Sequence, residues 1–331
     1  MGKRAAVVLL VLAVTGKVYE HVGEQRDQAK LPRVGRAVQI GGRTLNISCS
    51  GEGSPVVILD AGGSAPGYSN LPLQRALSHE TQTCWFDRAG LGWSDPSPVL
   101  QTSEAIARDL HDLLRAAGIA PPYILVGQSF SGFNVRLYAA QHPTNVAGIV
   151  LLDSVHEDQQ QYEPRSTLAP VNRLPAGARN LLCKAVPWAA KVGIVRLMLE
   201  MSGRRRPVPG FTPSEAATLD ALESRPKAVV TAAGCQAWEK SANEARAAGA
   251  LGSLPLFVLT AGRPMQTGDP ALDSELRQFH DVWVNKLQVQ LAGLSIRGKQ
   301  VIVDNSSHDG GGDMAQAAAS AIREILRDFR R

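Results

Sequence analysis

The chain has 331 residues, of which 44% are hydrophobic and 20% are charged. These proportions are typical of a globular protein and exclude a disordered chain, a collagen and a membrane protein with many spans. The formal net charge is +5, and the tightest basic cluster is Arg204-Arg205-Arg206, for which a solvated loop is a better explanation than a nucleic-acid or lipid-headgroup patch.

The first residues have the pattern of a targeting segment. Lys3 and Arg4 precede ten unbroken apolar residues, 5–14, a length typical of the apolar region of a signal peptide. A full membrane span needs about 20 apolar residues, so a tether through residues 5–19 stays an open alternative to cleavage. Residues 1–33 are therefore predicted to be a signal or anchor segment followed by a polar tether, in a chain exported to the periplasm or the cell exterior. A buried N-terminal helix is the other interpretation.

From Pro32 onward, short apolar runs alternate with segments of helical periodicity. Strands that are apolar on both faces and separated by helices indicate a mostly parallel α/β sheet. The first two strands straddle Gly41-Gly42, which is a hairpin signal. The predicted strands cover 36–40, 44–49, 55–59, 83–86, 123–126 and 146–152, and the helices between them cover about 71–78, 102–117 and 130–141.

The alternation stops between residues 154 and 253, where there is no strand-like run. The α/β pattern then returns, so an α/β core over 34–153 and 254–331 is predicted, with 154–253 as a helical insertion. Helical patterns in the insertion cover 176–185, 190–201, 213–222 and 227–248. After it come strands over 256–260 and 300–303 and helices over about 272–294 and 315–329.

Residues 126–132, Val-Gly-Gln-Ser-Phe-Ser-Gly, join a predicted strand to a predicted helix. This is the context of a nucleophile elbow, in which a serine occupies a tight turn between small residues. Gly127 and Ser131 are the small neighbours two residues before and after Ser129, so Ser129 is the predicted nucleophile. An N-cap serine is the alternative.

His308 is the predicted general base for Ser129. It follows the last predicted strand, and a loop at the carboxyl edge of the sheet faces the same crevice as the elbow. Stabilising a developing oxyanion takes two backbone N–H groups. Phe130 follows the nucleophile, and Gly63 lies in the loop after the third strand, where glycine allows close approach of the backbone. A plain turn is the alternative for Gly63.

Nothing in the sequence predicts a metal, a cofactor or a nucleic-acid partner. The four cysteines form no C-x-x-C motif, and no histidine pair has zinc-ligand spacing. The glycine-rich stretch 87–94 lacks the third glycine of a dinucleotide loop, and Trp93 is bulky where a phosphate would bind.

These motifs together resemble a serine hydrolase of the α/β-hydrolase fold, in the esterase, lipase and peptidase group with a helical cap. The resemblance covers about residues 34–329. It implies a mostly parallel eight-stranded sheet flanked by helices, with 154–253 as the cap. The sequence departs from the usual pattern at Ala61, where histidine is frequent, and at Ser131, where glycine is usual. The matching pieces are Asp60-Ala61-Gly62-Gly63, residues 87–94, the elbow and Ser307-His308.

The resemblance also implies an aspartate that orients His308, and the sequence offers two. Asp153 directly follows the sixth strand, whereas Asp269 lies in a long loop beyond the seventh. We favour Asp153, because a carboxylate at a strand end is better preorganised, and keep Asp269 as the alternative.

The strand order usual in this fold makes the second and fourth strands neighbours, which implies a disulfide between Cys49 and Cys84. Cys183 with Cys235 is a weaker second pair within the cap. Disulfides are permitted in an exported protein, and four buried free thiols are the alternative.

The predicted function is hydrolysis of carboxylic esters through an acyl-enzyme. Similar epoxide hydrolases and haloalkane dehalogenases use an aspartate where this chain has Ser129, and serine implies acyl transfer. The apolar residues of 192–201 favour a small ester with an apolar acyl group, although packing of a cap helix on the core explains them too. One alternative is a non-catalytic binding protein of the same fold. The other is an aminopeptidase or amidase, for which Glu157, Asp158, Glu163 and Glu200 are candidates to hold a substrate amine.

Overall fold

The computed structural model describes residues 3–164, 176–202, 210–232, 237–308 and 313–331. Its strands are β1 (Arg36–Ile40), β2 (Arg43–Ser50), β3 (Val56–Asp60), β4 (Thr83–Asp87), β5 (Tyr123–Gln128), β6 (Val146–Leu152), β7 (Leu256–Ala261) and β8 (Gly298–Val303). These described strands form one sheet in the order β1-β2-β4-β3-β5-β6-β7-β8. β2 is antiparallel to both of its neighbours, and the other pairs are parallel, so the predicted mostly parallel eight-stranded sheet is confirmed.

The helices lie between the strands and in the insertion. In the described ranges they are α1 (Lys3–Lys30), α2 (Leu71–Leu77), α3 (Ser103–Ala116), α4 (Ser131–Gln141), α5 (Ala176–Lys191), α6 (Ile194–Ser202), α7 (Pro213–Glu223), α8 (Pro226–Ala232), α9 (Ala237–Ala248), α10 (Pro270–Val282), α11 (Gln288–Ala292) and α12 (Met314–Phe329). The helical pattern predicted over 227–248 corresponds to α8 and α9, with residues 233–236 outside the description.

Two apolar cores cover the two faces of the sheet, because successive side chains of a strand point to opposite faces. On β3, Ile58 belongs to the core under α3 and α4. Its neighbours Val57 and Leu59 belong to the core under α2 and α12. The middle strands are buried on both faces, and this explains why their sequences are nearly continuous apolar runs.

The helix predicted over 272–294 is interrupted in the structure. α10 and α11 are joined by a π-helical turn at Trp283–Leu287. Such a turn inserts one residue into the helical repeat and is frequent at functional sites. Apolar periodicity alone does not reveal it, because the residues on both sides keep a helical pattern.

α1 continues through most of the stretch predicted to be a polar tether. Arg196 of α6 is bound by Glu20 and Asp27, each at 2.9 Å. A Cβ added at Gly16 would lie 2.3 Å from the carbonyl oxygen of Val192, so glycine lets α1 approach the cap closely. Residues 21–30 are therefore a helix packed on the cap rather than a tether. No helix of the described part of the chain is both long enough and apolar enough to span a bilayer.

Cys49 and Cys84 form the predicted disulfide. The two residues are directly opposite each other on β2 and β4, and their Cα atoms are 4.1 Å apart. The strand order brings them together, which confirms the pairing. The second predicted pair cannot be compared with the structure, since Cys235 and the side chain of Cys183 lie outside the described residues.

We expect the Cys49→Ala, Cys84→Ala double variant to lose about 2–4 kcal/mol of unfolding free energy, because the bond closes a loop of 35 residues. Urea unfolding followed by circular dichroism measures the change. Cys84 is fully buried, so the Cys49→Ala single variant, which keeps its side chain, separates loss of the bond from a new cavity. A single variant as stable as the wild type would show that the bond contributes nothing.

Candidate active site

The sharp turn between β5 and α4 places Ser129 at the carboxyl edge of the sheet. Ser129 has a φ of +50° and Asp153 a φ of +41°, and no other non-glycine residue of the described chain has a positive φ. Such conformations are costly for residues with a side chain and cluster at functional sites. Both strained positions fall on residues that the sequence singled out.

Small residues around Ser129 are a steric necessity. A Cβ added at Gly127 would lie 2.7 Å from the carbonyl oxygen of Ser131, closer than real contacts allow. Ser131 stands where glycine is usual, and its hydroxyl donates a hydrogen bond to the carbonyl of Ala61. This departure from the usual pattern therefore ties the elbow to the loop after β3.

Ser129, His308 and Asp153 form a continuous hydrogen-bonded chain. Ser129 Oγ lies 3.1 Å from His308 Nε2, and His308 Nδ1 lies 2.6 Å from Asp153 Oδ2. An ionised carboxylate only accepts hydrogen bonds, so His308 Nδ1 carries a proton and donates it. In the neutral ring Nε2 is then an acceptor for the Ser129 hydroxyl.

The second carboxylate oxygen of Asp153 also accepts hydrogen bonds. Asp153 Oδ1 accepts hydrogen bonds from the backbone N–H of Ala261 at 2.9 Å and from the indole Nε1 of Trp283 at 2.8 Å. The side chain is buried. Trp283 lies at the π-helical turn and was not singled out by the sequence, because nothing in its local pattern links it to a residue 130 positions earlier.

Asp269, the alternative acid, serves a different purpose. Its Oδ1 accepts hydrogen bonds from the backbone N–H groups of Ala271 and Leu272. This is the N-cap of α10, where a side-chain oxygen satisfies otherwise unpaired donors of the first turn. The structure thus brings Asp153, and not Asp269, to His308.

Gly63 lines a cavity together with Ser129, and Phe130 directly follows Ser129 in the chain. Gly63 has a φ of +46°, and neither its N–H nor that of Phe130 has an acceptor among the described residues. Arg88 donates to the carbonyls of both Gly62 and Gly63. The carbonyl of Gly62, which shares its peptide group with the N–H of Gly63, is thus held by a guanidinium, and the N–H groups of Gly63 and Phe130 are the candidate oxyanion donors.

Arg88 is itself fixed by a buried carboxylate. Asp60 Oδ1 lies 3.5 Å from Arg88 Nε, and Asp60 Oδ2 accepts a hydrogen bond from the Asn134 side chain at 2.8 Å. Burial raises the pKa of Asp60, and the charge of Arg88 opposes that change. Asn134 lies on α4, so this network connects the elbow helix to the loop that carries Gly63.

Two cavities meet at Ser129 and His308. The larger has a volume of about 490 Å³ and the smaller about 190 Å³. The larger is lined by Gly62, Gly63, the cap residues Phe211, Leu219 and Glu223, and apolar residues of the core that include Leu73, Leu152 and Met314. The smaller is lined by Trp238, Phe279, Trp283 and Met265, together with the polar Gln159, Glu163, Arg263 and His280.

The apolar helix over 192–201 lines neither described cavity, contrary to the interpretation that it favours an apolar substrate. Ile194, Leu197, Met198 and Met201 are exposed on α6. Packing on the core does not explain these four side chains either, since they face away from it.

Three of the four carboxylates proposed to hold a substrate amine are engaged elsewhere. Glu157 forms two hydrogen bonds with Arg136, Asp158 pairs with Arg246, and Glu200 accepts from Tyr19. Glu163 alone among the four lines a cavity that reaches Ser129. Glu223, which the sequence did not single out, lines the larger one. In the described residues no cluster of three or more His, Cys, Asp or Glu side chains is arranged to bind a metal.

The comparisons with known proteins agree on the fold. A family model described as the α/β hydrolase fold matches residues 55–178. The epoxide hydrolase CorEH superposes with a TM-score of 0.60 at 16% identity over 89% of this chain and 98% of its own. An esterase from Thermogutta terrifontis superposes with a TM-score of 0.57 at 19% identity over 88% of this chain and 98% of its own. The protein has the α/β-hydrolase fold, and its structural neighbours include hydrolases of more than one kind.

Curated relatives match over shorter lengths. The Bacillus subtilis protein YbdG, whose function is uncharacterised, is 30% identical over 151 residues, which is 45% of this chain and 46% of that protein. The chain thus spans less than half the length of such relatives. They support the family resemblance and do not define a substrate.

The Arg136–Glu157 pair makes the stability of the fold depend on pH, through Arg136 of the elbow helix α4. Burial favours a raised pKa for Glu157, but the hydrogen bonds and charge of Arg136 outweigh it and lower the pKa from 4.5 to about 2. A carboxyl whose folded pKa is depressed stabilises the fold above its unfolded pKa and loses that contribution as the pH falls.

We therefore expect thermal stability to decline from about pH 4.5 toward pH 2, by up to about 3 kcal/mol from this group. Melting temperatures measured by circular dichroism across this range test it. Glu157→Gln should flatten this part of the profile, whereas Glu104→Gln, in an exposed pair, should not. Parallel profiles for the wild type and Glu157→Gln would contradict the assignment.

Proposed function

We propose that the protein is a serine hydrolase that cleaves carboxylic esters through an acyl-enzyme. The observation that carries the proposal is the chain from Ser129 Oγ through His308 to Asp153, with distances of 3.1 and 2.6 Å. A hydroxyl, an imidazole and a carboxylate in this order form the arrangement that activates a serine for attack on a carbonyl.

In the proposed reaction, Ser129 Oγ attacks the ester carbonyl carbon while its proton passes to His308 Nε2. Asp153 stabilises the imidazolium that forms. The carbonyl oxygen becomes an oxyanion that accepts from the N–H groups of Gly63 and Phe130. When the tetrahedral intermediate collapses, the bond to the leaving-group oxygen breaks, and His308 gives its proton to that oxygen, which leaves as the alcohol.

The acyl group is then bound to Ser129. His308 takes a proton from a water molecule, whose oxygen attacks the acyl carbon through a second tetrahedral intermediate. Its collapse breaks the bond to Ser129 Oγ, which regains a proton from His308. The products are a carboxylic acid and an alcohol, and no cofactor takes part.

The two cavities support a substrate that extends on both sides of the ester bond. Phe211 and Leu219 line the larger cavity next to Gly62 and Gly63. We propose that an apolar acyl group occupies this cavity and that the alcohol group occupies the smaller and more polar one. A small-molecule ester fits the combined space.

Amide hydrolysis at the same serine is the second candidate. Glu163 lines the smaller cavity together with Ser129, where a carboxylate has the charge needed to bind a substrate amine. Arg263 lines the same cavity and reduces that preference, since a cation repels an amine. Esters are therefore the favoured substrates.

We further propose that the protein acts outside the cytoplasm. The basic pair and apolar run at the N-terminus support export. The disulfide between Cys49 and Cys84 supports it independently, because such bonds persist mainly in oxidising compartments.

Replacing the proposed nucleophile tests the reaction. Ser129→Ala should lower kcat for a short-chain aryl ester by on the order of 10⁴–10⁶, because the variant lacks the proposed attacking oxygen. A fluorophosphonate probe should label the wild type and not this variant. Ser320→Ala, which removes an exposed hydroxyl on α12, is the matched control and should keep both turnover and labelling.

Labelling that persists in Ser129→Ala would contradict the proposal. An aminoacyl anilide measured beside the aryl ester separates the two enzyme classes, since a peptidase should prefer the anilide. A wild-type protein that hydrolyses neither and takes up no probe would be a binding protein.

A second pair of variants tests the acid. Asp153→Asn should lower kcat by about 10⁴, because an amide favours the wrong tautomer of His308. Asp269→Asn should stay within about twofold of the wild type, since asparagine is an equally good N-cap. Equal losses in the two variants, measured with the same aryl ester, would contradict the role of Asp153.

A further inference from the structure

The first half of α1 has apolar side chains exposed over somewhat more than half of its circumference. Successive residues of an α-helix are rotated by about 100°, so the exposed positions 7, 8, 10, 11, 12 and 14 together cover an arc of about 200°. Contact with the cap is found from Gly16 onward, where the helix meets Val192. The side chains of Val7, Val8, Leu10, Val11, Leu12 and Val14 are each more than half exposed.

α6 presents a stripe of apolar side chains on one face. Ile194, Leu197, Met198 and Met201 follow the i, i+3, i+4, i+7 spacing of a single helical face, and each is more than half exposed. The opposite side of α6 carries the buried Val195 and Arg196. The helix is amphipathic with its apolar face turned outward, which is the reverse of a helix in a soluble protein.

α5 continues this exposed apolar area. Leu181 and Trp188 are seven residues apart, on one face of the helix, and are 70% and 68% exposed. The ammonium of Lys191 lies 5.1 Å from the centre of the Trp188 ring. Tryptophan beside lysine is the pairing found where side chains meet the boundary between lipid and water.

The positive charge of the chain is concentrated on the same helices. Residues 3–19 contain Lys3, Arg4 and Lys17, and α5 contains Arg179, Lys184 and Lys191, with no carboxylate in either stretch. Together these two stretches carry a formal charge of +6. The whole chain carries +5, so the charges of all other residues nearly cancel. The sequence alone suggested a dispersed excess, because the two groups lie about 160 residues apart.

Three of the neighbouring carboxylates are engaged within the protein, whereas Glu24, in the second half of α1, is exposed. Glu20 and Asp27 bind Arg196, and Glu200 accepts a hydrogen bond from Tyr19. The outer surface formed by the first half of α1, α5 and the exposed face of α6 is therefore apolar and cationic.

We propose that this outer surface docks on an anionic lipid bilayer. Apolar side chains of α1, α5 and α6 enter the headgroup region, and the exposed Lys17 and Lys191 pair with lipid phosphates, as in amphipathic helices that lie in a membrane interface. The charge complementarity favours a bilayer over a second copy of the chain, whose identical surface would be repelled. The proposal goes beyond ester hydrolysis and does not depend on it.

Flotation of the full chain with vesicles tests the proposal. The wild type should bind vesicles of phosphatidylglycerol and phosphatidylcholine, and bind pure phosphatidylcholine at least tenfold more weakly. The Leu197→Ser, Met198→Ser, Met201→Ser triple variant should lose at least tenfold in partitioning to the anionic vesicles. Ile296→Ser, at a side chain that is 87% exposed elsewhere, is the matched control and should bind like the wild type.

The charges are tested in the same way. Lys191→Gln and Lys17→Gln should each weaken binding by about fivefold, whereas Lys240→Gln, at an exposed position of α9, should leave it unchanged. Turnover of a soluble aryl ester by each variant is measured in parallel as a check on folding.

Equal binding by the wild type and the triple variant would overturn the proposal, as would equal binding to neutral and anionic vesicles. So would a wild-type dimer in analytical ultracentrifugation that the triple variant dissociates, since the surface would then be an interface between copies. A protein that binds vesicles and turns over no ester would leave the docking surface intact and contradict only the proposed function.

Discussion

The carboxylate of Asp153 is the constraint on which the candidate site depends. It joins three segments that are far apart in sequence: the end of β7 through the Ala261 N–H, the π-helical turn through Trp283, and the loop after β8 through His308. A buried charge is tolerated only when its hydrogen bonds are satisfied, and here both oxygens have donors. The positive φ of Asp153 aims the side chain at this meeting point, so the strain at the end of β6 is offset by three charge-assisted hydrogen bonds.

Another buried carboxylate organises the turn that follows β4. Asp87, at the end of β4, accepts hydrogen bonds from the Asn46 side chain and from the backbone N–H groups of Gly67 and Trp93. Burial raises the pKa of Asp87, and these hydrogen bonds oppose the change. The stretch 87–94 is thus folded around its own first residue, which explains Gly92: a Cβ at this position would lie 2.2 Å from the Asp87 carboxylate.

The strands and the elbow could be predicted because they depend on local sequence patterns. The sequence does not indicate which way a helix face points or which distant residue a side chain binds. Apolar runs and turn residues are local, so the strands and the elbow at Ser129 were readable from sequence. The apolar residues of 192–201 suggested a substrate-facing or core-facing helix, but the sequence does not state which way such side chains point, and Leu197 and Met201 are exposed. The polar residues of 21–30 suggested a tether because their partner, Arg196, is about 170 positions away. Trp283 was missed for the same reason.

Arg196 also determines how the N-terminal helix relates to the cap. Its guanidinium is buried between Glu20 and Asp27, and although burial disfavours the charge, the two carboxylates raise the pKa of Arg196. Gly23 of α1 packs directly on the Arg196 side chain, so removing α1 would both expose this cation and take away the two carboxylates that bind it. The ion pairs of Arg196 with Glu20 and Asp27 therefore hold α1 and α6 together. Since charges act over only about 10 Å in salt, the cations of α1 and α5 reinforce one another only where the two helices lie close together. The Arg196 pairing contributes to this, because it holds α1 on the part of the cap that contains α5 and α6.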